Sequence, residues 1–125
     1  QWTGGGVVFA PVPRDYSFKM NKKEKRAALK SALTSRVQAN KLIVLDQLTM
    51  DAPKTKAMQN VLNSLNVNKA LVVTKENDAN VVLSARNIPD VKTALVNTIN
   101  VYDVMKYNTV VLTKDAVAAI EEVYA

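Results

Sequence analysis

Four short apolar runs stand out along the chain, each bounded by polar residues. They fall at residues 42–45, 70–73, 93–96 and 109–112, and the third is the weakest of the four. A continuous apolar run of this length is typical of a strand that is covered on both faces, as in a parallel sheet. The pattern therefore predicts four strands.

The segments between these runs carry apolar residues at spacings of three and four, which is the pattern of helices with one buried face. The first helix should follow an Asn21 cap, with Glu24 three residues later, and continue to about Ala39. We expect it to bury Ala28, Leu29, Ala32, Leu33 and Val37. Further helices are expected from Pro53 to about residue 65, from 77–80 to a point before residue 89, at 101–107, and at 115–124 with Val117, Ile120, Val123 and Tyr124 inward.

Alternating strands and helices indicate an α/β fold, a three-layer domain with a mostly parallel open sheet flanked by helices. Residues 1–20 do not share this alternation, because they contain all three glycines, two prolines and the only Trp. Glycine and proline at this density disfavour both a stable helix and a central strand. We therefore expect an extended basic arm at residues 1–20, followed by one globular domain at residues 21–125.

The net charge of +6 is distributed unevenly. Residues 1–41 hold nine Lys and Arg against two acids, whereas residues 42–125 hold eight basic and nine acidic residues. A positive excess confined to one end indicates a polyanionic partner there. Cations suit phosphates and flat aromatic groups suit bases, so the arm with its neighbouring lysines favours nucleic acid.

The start of the first predicted helix concentrates this charge. Lys22, Lys23 and Lys25 would lie in its first turn, where positive charges oppose the helix dipole. A bound phosphate would reverse that penalty, since helix N-termini attract anions. Lys23, Arg26 and Lys30 recur at spacings of three and four, which predicts a basic stripe along one edge of the helix.

Several other kinds of site find little support. The chain has no Cys and no His, so it lacks a disulfide framework and the commonest general base, and no metal or cofactor set is visible. Its apolar runs fall well short of the ~20 residues of a membrane span, and no signal peptide is visible. The glycine triplet lacks the spacing of a nucleotide-binding loop. Asp46 and Thr74 end two predicted strands, where ligands collect in α/β sheets, but Asp46 is better interpreted as a turn-capping residue before the next helix.

The arm and the helix start resemble bacterial large-subunit ribosomal protein four. Two runs carry the resemblance, Trp2-x-Gly4-Gly5-Gly6-x-x-Phe9-x-Pro11-x-Pro13-Arg14-x-Tyr16 and Lys22-Lys23-x-x-Arg26-x-Ala28-x-x-Ser31-x-Leu33. The Leu45-Asp46 strand end and the Lys-Thr-Lys of residues 54–56 fit the same family. The family usually has Gly where this chain has Ala10. Because the chain starts at Gln1 in the middle of the motif, we interpret it as a piece of a longer protein without the N-terminal region and the outgoing half of a long loop.

The resemblance implies a cytoplasmic, ribosome-bound structural component of the large subunit, not an enzyme. It would bind large-subunit ribosomal RNA, contact neighbouring large-subunit ribosomal proteins, support subunit assembly and help to line the peptide exit tunnel, with no membrane partner. The positions that would contact or thread between RNA segments are Trp2, Gly4, Gly5, Gly6, Arg14 and Tyr16. Those that would neutralise phosphates are Lys19, Lys22, Lys23, Lys25, Arg26 and Lys30.

Two alternatives remain open at this point. The same basic surface could bind the leader of the protein's own messenger RNA and regulate its operon, as some members of the family do. A nucleotide-binding α/β enzyme that uses Asp46 and Thr74 is the third hypothesis.

Overall fold

The computed structural model describes residues 2–125 and contains one sheet of four parallel strands. The strands are β1 (Leu42–Leu45), β2 (Ala70–Thr74), β3 (Val91–Leu95) and β4 (Thr109–Thr113). Their order in the sheet is β1-β4-β2-β3, so the last strand in sequence lies between the first two. Parallel pairing in all three ladders confirms the predicted sheet.

Within residues 2–125, five α-helices precede, connect or follow the strands. They are α1 (Lys22–Gln38), α2 (Thr55–Ser64), α3 (Ala79–Ala85), α4 (Val101–Lys106) and α5 (Lys114–Tyr124), and a short 3-10 helix (Val96–Thr98) joins β3 to α4. None of the helices within residues 2–125 is both long enough and apolar enough to cross a bilayer.

The helices cover both faces of the sheet. Leu29 of α1, Val104 of α4 and Ala116 of α5 pack with β2 and β4 on one face. On the other face, Met58 of α2 and Val81 of α3 pack against Val72 and Val111. This confirms the three-layer arrangement, because each face of the sheet has its own apolar core.

The expectation that β1 is covered on both faces is wrong. β1 pairs only with β4 and forms one edge of the sheet, and Val44 at its centre is 50% exposed. The central strands differ sharply, since Val72 and Val111 are almost completely buried. β1 and the central strands contain similar apolar runs of four residues, so the run itself does not distinguish them. The order of the strands in the sheet determines which run is exposed to solvent.

Three helical details also differ from the sequence-based expectation. Pro53 lies outside α2, because the backbone N–H of Lys54 donates to Ser84 Oγ (3.0 Å) and holds that residue extended before the helix begins. Val37 is 57% exposed, since the neighbouring Arg36 is the residue that turns inward. Val123 is exposed as well, while Tyr124 packs inward and its hydroxyl donates to the carbonyl of Val96 (3.1 Å).

Candidate nucleic-acid interface

The interface begins where α1 does. Asn21 precedes the helix in an extended conformation, and its backbone N–H donates to Glu24 Oε2 (3.1 Å). The predicted cap and boundary are therefore confirmed. Glu24 is the only acid in the first turn, and its carboxylate is engaged by this backbone contact.

The cations around this helix start have no carboxylate partner. All the basic positions predicted to contact phosphate are exposed: Lys19, Lys22, Lys23, Lys25, Arg26 and Lys30. Within residues 2–125 the only ion pair joins Lys92 to Asp103, on a different part of the domain. The positive charge at the start of α1 is therefore available to an external anion.

Holding these cations on one helix costs stability. Lys22 and Arg26 are four residues apart, as are Arg26 and Lys30. Like charges at this spacing destabilise a helix by ~0.2–0.5 kcal/mol per pair, and cations in the first turn also oppose the dipole. A phosphate backbone bound across this face would relieve both penalties, which is a physical reason to regard the face as a binding surface.

The glycine triplet forms a tight turn that brings Trp2 back onto the chain. The backbone N–H of Gly5 donates to the carbonyl of Trp2 (3.0 Å), and all three glycines have positive φ, between 60° and 96°. A Cβ built on Gly6 would lie 2.7 Å from Cε3 of Trp2, so only glycine allows the indole to lie against the backbone here. The indole remains 72% exposed.

A second aromatic group in the same segment is paired with a cation. The guanidinium carbon of Arg14 lies 4.2 Å from the centre of the Tyr16 ring, within the range of a cation–π contact. Between them, Asp15 Oδ1 accepts a hydrogen bond from the backbone N–H of Ser17 (2.8 Å). Hydrogen bonds from Ser17 hold the pKa of Asp15 below its usual value, so this carboxylate stays charged and turned towards its own backbone.

The structure therefore groups the predicted site residues in three sets. The first set is Trp2 with the three glycines, and the second is Arg14 with Tyr16. The third set consists of the lysines and Arg26 around the start of α1. All twelve are exposed. Residues 2–20 contain no helix or strand, while their interpretation as an RNA-contacting arm stays a prediction.

The alternative site at the strand ends is an open, polar cleft of about 560 Å³. Asp46, Thr74 and Thr113 line it at the carboxyl ends of β1, β2 and β4. Asp46 lies in a bend directly after β1, and α2 begins only at Thr55. Among the described residues, no group of three or more acidic side chains is placed to hold a metal ion.

Two side-chain contacts within the fold were missed by the sequence analysis. Arg36 donates to the carbonyls of Val104 (2.9 Å) and Met105 (2.8 Å), so it caps the end of α4 and does not belong to the free cations. Lys92 pairs with Asp103, which is buried. The spacing of Asn100 and Asp103 could have indicated the start of α4. The contact of Arg36 with α4 and the Lys92–Asp103 pair could not be predicted, because each joins two different elements and leaves no local pattern in the sequence.

Comparison with known proteins gives a consistent result. The sequence model described as the ribosomal protein L4/L1 family matches residues 1–123. The large ribosomal subunit protein uL4 of Lachnoclostridium phytofermentans is 70% identical over 125 residues, which cover all of this chain and 61% of the relative. The proteins of the same name from Agathobacter rectalis and Alkaliphilus oremlandii are 68% and 62% identical, and the matches cover 61% and 60% of those relatives and 100% and 99% of this chain. The chain thus spans about three fifths of the length of these relatives.

Proposed function

The chain belongs to the ribosomal protein L4/L1 family, and from that membership we propose that it acts as a structural component of the large ribosomal subunit. In this proposal its RNA-binding surface is formed by the arm and by the start of α1. The observation that carries the proposal is the set of exposed cations on α1 with no carboxylate partner in the described chain.

The chemistry of such a surface is recognition by charge and shape. Lys22, Lys23, Arg26 and Lys30 would each neutralise a backbone phosphate and release its counterion. Trp2 and the Arg14–Tyr16 pair would offer flat groups to bases that are splayed out of a folded RNA. No bond is made or broken in this role. A nucleotide-binding enzyme is the weaker hypothesis, because the relatives that cover the whole chain are named as ribosomal proteins.

The resemblance adds to this proposal where the arm and the globular domain would lie in the ribosome. The arm would be the returning half of a long loop that enters large-subunit ribosomal RNA and helps to line the peptide exit tunnel. The globular domain would sit at the surface of the cytoplasmic ribosome, beside neighbouring ribosomal proteins.

The salt dependence of RNA binding tests the residue assignment. Replacing Lys22, Lys23, Arg26 and Lys30 with Ala should weaken binding to large-subunit ribosomal RNA and flatten its dependence on salt, by about one unit of slope for each lost phosphate contact. A matched variant removes four cations from the rest of the chain: Lys69, Lys75, Arg86 and Lys114. It should keep the wild-type slope, and equal slopes in the two variants would contradict the assignment.

The same cations support a second candidate, the binding of a messenger RNA leader. A surface that recognises charge and shape does not depend on one RNA sequence, so the two roles are compatible. Competition between the protein's own messenger leader and ribosomal RNA for one site would support this regulatory role. A leader that fails to displace ribosomal RNA would argue against it.

A further inference from the structure

Helix α4 presents a second exposed aromatic surface, formed by residues that the proposed interface does not use. Tyr102 is 70% exposed and Met105 is 53% exposed, whereas Asp103 and Val104 between them are buried. A fully exposed tyrosine ring contributes little to the stability of a helix that packs through its opposite side. Its exposure therefore needs another explanation.

This short helix is fixed by its own N-cap and by contacts from two other elements. Asn100 accepts a hydrogen bond from the backbone N–H of Asp103 (2.8 Å), and Lys92 on β3 donates to the Asp103 carboxylate (2.6 Å). Arg36 on α1 donates to the carbonyls at the other end. Six residues are too few for a helix to be stable by itself in water, so these contacts hold the backbone at Tyr102 in place. A platform that is already fixed loses less conformational entropy when it binds a ligand.

One cation, Lys106, lies beside the exposed ring. The Lys106 ammonium lies 5.7 Å from the centre of the Tyr102 ring and 5.5 Å from that of Tyr107. Lys92 remains 47% exposed while it pairs with Asp103. Asp103 is the only acid in residues 91–113, and it is buried, so this stretch offers no exposed carboxylate.

An aromatic ring beside a lysine matches the chemistry of an unpaired nucleotide. A base stacks on a flat ring whatever its sequence, and its two phosphates require cations a short distance from the ring. A protein partner would instead need a broader apolar contact or acidic groups, and the exposed apolar surface on α4 is limited to Tyr102 and Met105. The combination therefore favours RNA.

We infer that α4 forms a second RNA-contacting surface, in which the Tyr102 ring stacks on an unpaired base and Lys106 contacts a flanking phosphate. The inference rests on the proposed function for the nature of the polymer. It uses none of the residues of the arm or of the start of α1, so the two can be tested separately.

The test is a filter-binding assay of the 125-residue chain with protein-free large-subunit ribosomal RNA. It measures the affinity at salt concentrations from low to moderate. Tyr102→Ala should weaken binding by about tenfold with an unchanged salt slope, because it removes stacking and no charge. Tyr102→Phe keeps the ring and should bind like wild type. Lys106→Ala should lower the slope by about one unit, while Lys75→Ala, the same change at the strand-end cleft, should leave it unchanged.

The outcomes separate this inference from the proposed function. Wild-type binding by Tyr102→Ala, with weakened binding by the α1 quadruple variant, would overturn the inference and leave the function standing. A wild-type chain that does not bind the RNA would contradict the function itself. Normal RNA binding by Tyr102→Ala combined with poor incorporation into reconstituted subunits would assign α4 to a protein neighbour, and would also overturn the inference. Tyr102 is exposed, so the substitution should leave the melting temperature almost unchanged, and circular dichroism checks this.

Discussion

Single residues determine how the arm presents its aromatic groups, and Gly6 shows this most clearly. It has a φ of 60°, and the indole of Trp2 occupies the space in which a side chain would lie. The sequence predicted an extended arm here from its glycine and proline content. It could not predict that the bend places Trp2 against the third glycine, since that contact depends on three successive backbone angles.

Gly6→Ala should release Trp2 from the backbone. The added Cβ would lie 2.7 Å from the indole, so the ring must move away. Trp2 is the only tryptophan, and acrylamide quenching of its fluorescence should therefore increase. Gly4→Ala is the matched control, because it places alanine at a similarly positive φ with nothing within 4 Å of its Cβ. Equal quenching in the two variants would show that backbone strain, and not the contact, positions the ring.

The Lys92–Asp103 pair should contribute measurably to stability, because removing Lys92 leaves a buried carboxylate short of one partner. Lys92→Met should lower the free energy of unfolding by about 1 kcal/mol, at the low end of such effects since Lys92 is half exposed. Lys75→Met, on an exposed and unpaired lysine, should stay within ~0.5 kcal/mol of wild type. Chemical denaturation at neutral pH measures both values.

The pH dependence of this contribution has a definite sign. Donation to Asp103 raises the pKa of Lys92 above its usual value. The stabilisation is therefore complete below the pKa of the unfolded chain, about 10.4, and is lost as the pH rises through the higher folded pKa. Wild type should lose its advantage over Lys92→Met only in this alkaline range. A difference that disappears already near neutral pH would contradict the pairing.

At the level of whole elements, the strands and helices were predicted where local pattern determines them. The central runs form β2 and β4, and the spacing that predicted α1 and α5 is confirmed by their bounds. The position of β1 at the sheet edge could not be predicted, because its neighbour β4 lies more than sixty residues away in sequence. Pairing order is a tertiary property that an apolar run does not encode.

Two valines on neighbouring strands test the sheet order. Val111→Ala in β4 should destabilise the domain by about 2 kcal/mol, because it leaves a cavity at a position that is 2% exposed. Val44→Ala in β1 makes the same chemical change at a position that is 50% exposed, and should cost about 0.5 kcal/mol. Similar losses of unfolding free energy in the two variants would place β1 in the interior of the sheet.

At the level of the whole molecule, the positive charge and the strands of the sheet lie in different parts of the sequence. Residues 42–125, which contain the whole sheet, have a net charge of −1, and the positive excess lies in residues 1–41, mostly on the arm and on α1. The sequence alone showed this asymmetry. It could not show which cations are free, since Arg36 and Lys92 belong to the same basic composition and are held by contacts within the fold.

The most direct test of the account's central claim, assembly into the large ribosomal subunit through the cations of α1, is sedimentation. The tagged protein is followed through a sucrose gradient after a high-salt wash of the ribosomes. We expect wild type to migrate with the large subunit and the variant lacking Lys22, Lys23, Arg26 and Lys30 to shift towards the top, while the matched variant with four other cations replaced stays with the subunit. A wild-type protein that remains at the top of the gradient would contradict the account.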